Sequence, residues 1–193
     1  MNNIKNFKNC FLQFALPSNS INQNRLIDIL LVLGIRTLSA MNQITIRKAT
    51  PGDLDILLEF EQGVVEAERP FNPTLKDSGV HYYNINEMIK VDHIELLVAL
   101  SGNEVIGVGY SRIENAKPYI KYERHAYLGF MYVVPAYRGK GVNKAILNDL
   151  TAWSKAEGVT ELRLEVYSDN SIAIKAYQKA GFTNLYTHMR REI

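Results

Sequence analysis

The sequence predicts an α/β domain built on a mixed sheet. Two observations carry that expectation. Runs such as Ile44-Thr45-Ile46-Arg47 and Glu161-Leu162-Arg163-Leu164-Glu165-Val166-Tyr167 place apolar residues at every second position, the period of a half-buried strand. Between them, Leu54, Leu57 and Leu58, and farther on Val142, Ile146, Leu150 and Trp153, recur at helical spacing. The resulting order is strand, helix, helix, hairpin, strand, helix, strand, helix, strand. A chain of 193 residues, 47% of them hydrophobic, can bury one substantial core, so one main domain is expected.

Residues 44–47 open the sheet. Thr50-Pro51-Gly52-Asp53 then starts a helix, with a capping hydroxyl, proline at the first helical position and an acid three residues after the cap. Leu54, Leu57 and Leu58 form its inward face. Residues 63–92 are less regular: Arg69-Pro70-Phe71-Asn72-Pro73 breaks any helix, and a second helix is expected within 81–90. Two strands, 94–100 and 104–113, flank the hairpin turn Gly102-Asn103. Glu114-Asn115-Ala116-Lys117-Pro118 reads as a solvent loop, and 122–134 as the long fourth strand. The main helix is expected from about Gly139 to Glu157, with Gly158 as its stop. Asp169 or Asn170 can cap the last helix, and Gly181 stands where a left-handed C-terminal cap belongs.

The junction Phe130-Met131-Tyr132-Val133-Val134-Pro135-Ala136-Tyr137-Arg138-Gly139-Lys140-Gly141-Val142 carries the chemistry. A helix start has N–H groups without partners and the positive end of the macrodipole, so it attracts anions. Gly139 and Gly141 let phosphate oxygens approach that backbone, and Arg138 and Lys140 add positive charge beside it. A Walker loop is excluded, because Val142-Asn143 stands where Lys-Ser or Lys-Thr would be needed. The dinucleotide fingerprint is excluded too, because Lys144 replaces its third glycine.

Arg138-Gly139-Lys140-Gly141-Val142-Asn143 and the later Asn170-x-x-Ala173-x-x-x-Tyr177-x-x-x-Gly181-Phe182 together resemble the GNAT superfamily of acyl-CoA-dependent N-acyltransferases. The likeness runs from about Ile44 to the C-terminus, and departs at Asn143, where the family has a small residue. It implies a mostly antiparallel sheet of six to seven strands flanked by about four helices, splayed between the fourth and fifth strands. Acetyl-CoA would enter that gap as co-substrate. Backbone groups of Met131, Tyr132, Val133 and Val134 would pair with its pantetheine arm, while Arg138, Gly139, Lys140, Gly141, Val142 and Asn143 would hold its diphosphate. Asn170 would face the arm, besides serving as a helix cap.

The implied reaction is direct acyl transfer from the thioester to a primary amine of a small molecule, with a protein N-terminus or lysine as the alternative acceptor. The amine must lose a proton, the oxyanion must be held, and the leaving thiolate should be protonated. A backbone N–H near Tyr132–Val133 could polarise the carbonyl. Tyr177 would protonate the sulfur, its other reading being a core aromatic. Glu165 is a candidate base, against a water relay or a solvated carboxylate beside Arg163. Glu66, Glu68, Arg69, His81 and Tyr82 fall in the variable segment that usually lines the family's acceptor site, and Tyr110 either points there or packs on the sheet.

Formal net charge is +2, of which residues 1–40 carry +3 and residues 41–193 carry −1. The domain has no basic excess of the kind nucleic-acid binders need. A single cysteine, Cys10, excludes an intrachain disulfide framework, and the scattered His81, His93, His125 and His188 suggest no metal site. The apolar run 26–35 is too short to span a bilayer. A cytoplasmic protein is expected, with a homodimer left open. Residues 1–40 differ in character, with seven asparagines and no glutamate, and read as a poorly ordered extension or a misassigned start, with a short helix around 25–35. Met41 looks like the natural start of the acetyltransferase domain, 41–193. A CoA-binding regulatory module without catalysis is a competing reading, against which the complete Asn170-to-Phe182 signature argues.

Overall fold

In β2 (Ile94–Ser101) every side chain from Leu96 to Ala99 is buried. Leu96 and Val98 enter one core cluster, Leu97 and Ala99 another. Alternate side chains of a strand point to opposite faces, so this strand is covered on both sides. The computed structural model describes residues 43–193. Its sheet runs in the order β1 (Ile44–Lys48), β2, β3 (Glu104–Asn115), β4 (Arg124–Val133) and β5 (Leu162–Arg163). Neighbours are antiparallel except β4 and β5, which are parallel.

One face is covered by α1 (Leu54–Glu68) and the one-turn α2 (Ile85–Met88), through Leu57, Phe60, Val64, Ile85 and Met88. The other is covered by α3 (Val142–Ala156), through Val142, Ile146, Leu147 and Leu150. Tyr177 on α4 (Ser171–Lys179) and the following Phe182 pack at the margin of that second cluster. The entry to α1 follows its sequence signature. Asp53 accepts from the Thr50 N–H at 2.7 Å and from its hydroxyl at 2.8 Å, closing a 3-10 turn, Pro51–Asp53, ahead of the helix. Two 2.7 Å bonds from Arg47 hold the Asp53 carboxyl well below the usual carboxylate range.

The architecture is the expected α/β mixed sheet, but among the described residues it has four helices and five strands rather than six to seven strands. The run 161–167 shrinks to Leu162–Arg163, because only Ala126 and Tyr127 of β4 pair with it. No strand forms after α4 among the described residues, since a strand needs a backbone ladder and β5 has parted from the sheet. Leu58 is 39% exposed instead of facing inward, because the buried stripe of α1 runs through Leu57, Phe60, Glu61, Val64 and Val65. The main helix begins at Val142, leaving Gly139 and Gly141 in the turn before it. The stops at Gly158 and Gly181 do adopt positive φ, 79° and 95°. The short helix expected around 25–35 and the boundary at Met41 lie outside the described residues.

Candidate active site

The parting of β4 from β5 creates the site. Their pairing ends at Tyr127 with Arg163, while β4 continues to Val133. Among the described residues, 128–133 therefore carry a backbone edge with no strand beside it on the β5 side. Along this edge β4 bulges. Val108 pairs with Tyr132 and Tyr110 with Gly129, so Phe130 and Met131 together oppose Gly109. Phe130 takes φ 52°, rare for a side chain of its size. It is held there by Tyr83, whose ring stacks on it at 4.7 Å and whose Oη accepts the Phe130 N–H at 3.2 Å. Farther along, Val134 is already paired, its N–H donating to Ile106 and its carbonyl accepting from Tyr137.

The glycine turn before α3 has the geometry its sequence requires. Gly139 and Gly141 have φ of 74° and 86°, a region open to glycine at little cost. A Cβ added to either would meet nothing within 4 Å, so the space above the turn is clear. After the Arg138 N–H bonds Pro135, the next backbone bond among the described residues runs from Ala145 N–H to the Gly141 carbonyl. The N–H groups of residues 139–144 in between have no backbone acceptor among those residues. Arg138 is fixed by its Nε bond to the Val133 carbonyl at 3.0 Å and lies 5.8 Å from the Tyr132 ring centre. Lys140 Nζ lies 5.2 Å from the Tyr137 ring. Val142 is buried and anchors the turn, and Asn143 is half-buried. Clear space, unpaired amides and two tethered cations fit a diphosphate.

Tyr177 and Glu68 converge from α4 and the end of α1. Burial pushes the Tyr177 phenol up to about 12, and the Glu68 charge adds to the shift. Burial likewise raises the Glu68 carboxyl, with the Tyr82 phenol pulling the other way. The Tyr82 Oη is buried and faces Glu68, and burial together with that carboxylate pushes the phenol up. Asn170 caps α4, its Oδ1 accepting from the Ala173 N–H at 3.1 Å.

The remaining sequence candidates disperse. Tyr110 packs on the sheet, 2% exposed, its ring over Gly129 and edge-on to Tyr83. Glu66 and Arg69 pair with each other at 3.0 Å on the surface. His81 is mostly exposed, with Nδ1 2.8 Å from Glu61. Glu165 is exposed, accepts weakly from the Tyr186 hydroxyl at 3.4 Å, and raises the pKa of Tyr127 and Tyr110 through its charge.

The model of the acetyltransferase (GNAT) family matches residues 61–182, which contain this whole arrangement. The chain belongs to the GNAT family. It is similar to the N-alpha-acetyltransferase RimI of Mycobacterium tuberculosis, 29% identical over 140 residues that cover 72% of this chain and 78% of the relative. An aminoglycoside N(6')-acetyltransferase type 1 of Salmonella enteritidis is 23% identical over 132 residues, covering 65% of this chain and 84% of the relative. The crystal structure of a predicted acetyltransferase with acetyl-CoA from Clostridium acetobutylicum shares the fold, with TM-score 0.61 and 18% identity over 78% of this chain and 96% of that one. This GNAT chain is thus an acetyltransferase by family, as its two motifs predicted.

Four residues tied to these elements escaped the sequence reading: Glu61, Tyr83, Tyr127 and Tyr167. Tyr167 accepts from Asn72 Nδ2 at 2.9 Å and stacks on Phe71 at 6.2 Å, tying the segment after α1 to the segment after β5. Such pairings across sequence leave no local signal. Glu61 did leave one, as a carboxylate on the apolar stripe of α1.

Proposed function

We propose that this chain transfers an acetyl group from acetyl-CoA to a primary amine of a small cationic molecule, bound between the end of α1, residues 69–84 and the Tyr167–Tyr177 region. The observation that carries this reading is the Asn72–Tyr167 bond with the Phe71–Tyr167 stack, which ties the segment after α1 to the segment leading into α4, where Glu68 acts on Tyr177. A carboxylate attracts an ammonium group and the tyrosine rings offer it their electron-rich faces, so an amine drawn to Glu68 is drawn to the same place as Tyr177. The Asn72–Tyr167 bond and the Phe71 stack favour a small acceptor over an extended peptide, because they pin the two walls together.

Bound along the free edge of β4, acetyl-CoA supplies the acyl group as a thioester. Met131, Tyr132 and Val133 would align its amide-bearing arm, more than Val134, whose backbone is already paired. The amides of residues 139–143, with Arg138 and Lys140, would hold the diphosphate. Asn170 would border the arm from the cap of α4. A β4 N–H at Tyr132 or Val133 would steady developing negative charge at the carbonyl oxygen. Tyr177 Oη keeps its proton at every physiological pH and would donate it to the departing sulfur. Glu68, whose carboxyl pKa burial raises, is the carboxylate we propose as acceptor of the amine proton, directly or through water, with Glu165 as the second candidate. A cytoplasmic location is part of the same reading; no helix among the described residues is long and apolar enough to cross a membrane.

Thiol release from acetyl-CoA, measured with a panel of diamines, aminoglycosides, N-terminal peptides and lysine peptides, tests the proposal. Turnover greatest on small polycations is the expected result. Turnover confined to peptides would move the acceptor to the protein class that the RimI likeness favours, and no release with any amine would defeat the catalytic reading altogether.

A further inference from the structure

Glu61 is fully buried, at 0% exposure, on the stripe of α1 otherwise made of Leu57, Phe60, Val64 and Val65. A charge in that position is costly unless its oxygens are fully engaged. They are. Oε1 accepts from the Tyr82 N–H at 2.6 Å and the Tyr83 N–H at 2.8 Å, and Oε2 lies 2.8 Å from His81 Nδ1. All three partners belong to the irregular segment before α2, which otherwise has little secondary structure to hold it.

That segment points two ways from the Glu61 carboxylate. Tyr82 carries its buried phenol to the Glu68 carboxyl. Tyr83 carries its hydroxyl to the Phe130 N–H and its ring onto Phe130, the residue that bends β4 at φ 52°. One residue away on α1, Phe60 meets the Tyr132 ring at 5.0 Å. Gly63 touches the same ring, where a Cβ would come within 2.6 Å. The helix that holds the acceptor wall therefore also supports the cofactor-facing strand.

We propose that Glu61 is a positioning residue for the acetyl-transfer site: through the amides of Tyr82 and Tyr83 it sets both the tyrosine wall beside Glu68 and the bulge of β4. The wall's role rests on the acceptor reading above, while the mechanical link does not. An apolar side chain would fill the same volume but leave two inward-facing backbone N–H groups unpaired, so the segment would have to move.

The test uses the full chain with Glu61→Met, which keeps the bulk, and Glu61→Gln, whose carbonyl can still accept both N–H groups. Amide exchange at Tyr82 and Tyr83 is followed by NMR beside kcat, acceptor KM and acetyl-CoA affinity. In Glu61→Met exchange at both amides speeds up about tenfold or more, kcat/KM for the acceptor falls about 30-fold, and acetyl-CoA affinity changes less than about threefold. Glu61→Gln recovers kcat/KM to within about fivefold of wild type. Equal impairment of the two variants, or unchanged exchange and acceptor KM in Glu61→Met, overturns the proposal. Should Glu61→Met not fold, Tyr83→Phe carries the test, since it spares Glu61 and removes only the acceptor of the Phe130 N–H. A kcat loss of about tenfold is expected, and wild-type kcat refutes the link to β4. A wild-type protein that acetylates no amine fails the acceptor reading instead, and the exchange data still judge Glu61.

Discussion

Tyr177 lies close enough to Glu68 for that carboxylate's charge to add to the rise of its phenol. Replacing Tyr177 by Phe is expected to lower kcat about 100-fold with acetyl-CoA affinity within about threefold, as rate measurements and calorimetry would show. Parallel loss of both would assign the ring to packing. A phenol whose folded pKa is raised favours the folded state below its unfolded value near 10, and that contribution disappears as pH climbs through about 12. The difference between wild-type and Tyr177→Phe tyrosinate absorbance should accordingly show a midpoint near 12. Glu68→Gln should lower that midpoint and raise acceptor KM about tenfold, leaving coenzyme A binding intact. Tyr177 was legible from its motif. Glu68 was legible only as one of several charges in a variable segment, because nothing local distinguishes it from Glu66, which the fold turns to the surface against Arg69.

On the proposed reading, acetyl-CoA affinity resides chiefly in the turn before α3, while the bulge of β4 shapes the edge along which the arm would lie. Gly141 sits at φ 86° as the cap residue of α3, so Gly141→Ala should cost about 1–2 kcal/mol in a urea titration, from backbone conformation alone. Gly141→Glu adds a carboxylate where the proposed diphosphate would sit and should abolish acetyl-CoA binding in calorimetry. Unchanged affinity would remove this turn from the site. Gly129 has a different task. A Cβ there would come within 2.7 Å of the Tyr110 ring, which is buried and cannot swing away. Gly129→Ala should therefore destabilise by about 1–3 kcal/mol, read from the same titration. Both glycines of the turn announced themselves beside Arg138 and Lys140. Gly129 did not, because its necessity comes from a tyrosine on the neighbouring strand.

For the molecule as a whole, the decisive feature is a sheet left open on purpose at its fourth strand. Residues 128–133 lack a strand on the β5 side, and a ligand that pairs there binds the folded state alone. Coenzyme A at 100 times its dissociation constant should add about 2.7 kcal/mol, raising the melting temperature by about 5–10 °C in a thermal scan. No rise would mean that the edge is not the binding surface. By itself the sequence determined the layered α/β class, the order of its elements, the helix caps at Thr50 and Asn170 and the glycine turn ahead of α3, since each depends on residues adjacent in the chain. Tertiary structure alone decided how far β5 follows β4, that Tyr110 packs inward while Tyr82 faces Glu68, and that a buried Glu61 grips the segment between α1 and α2. Those outcomes depend on which distant groups compete for the same space and the same hydrogen bonds, and periodicity along one segment contains no information about its competitors.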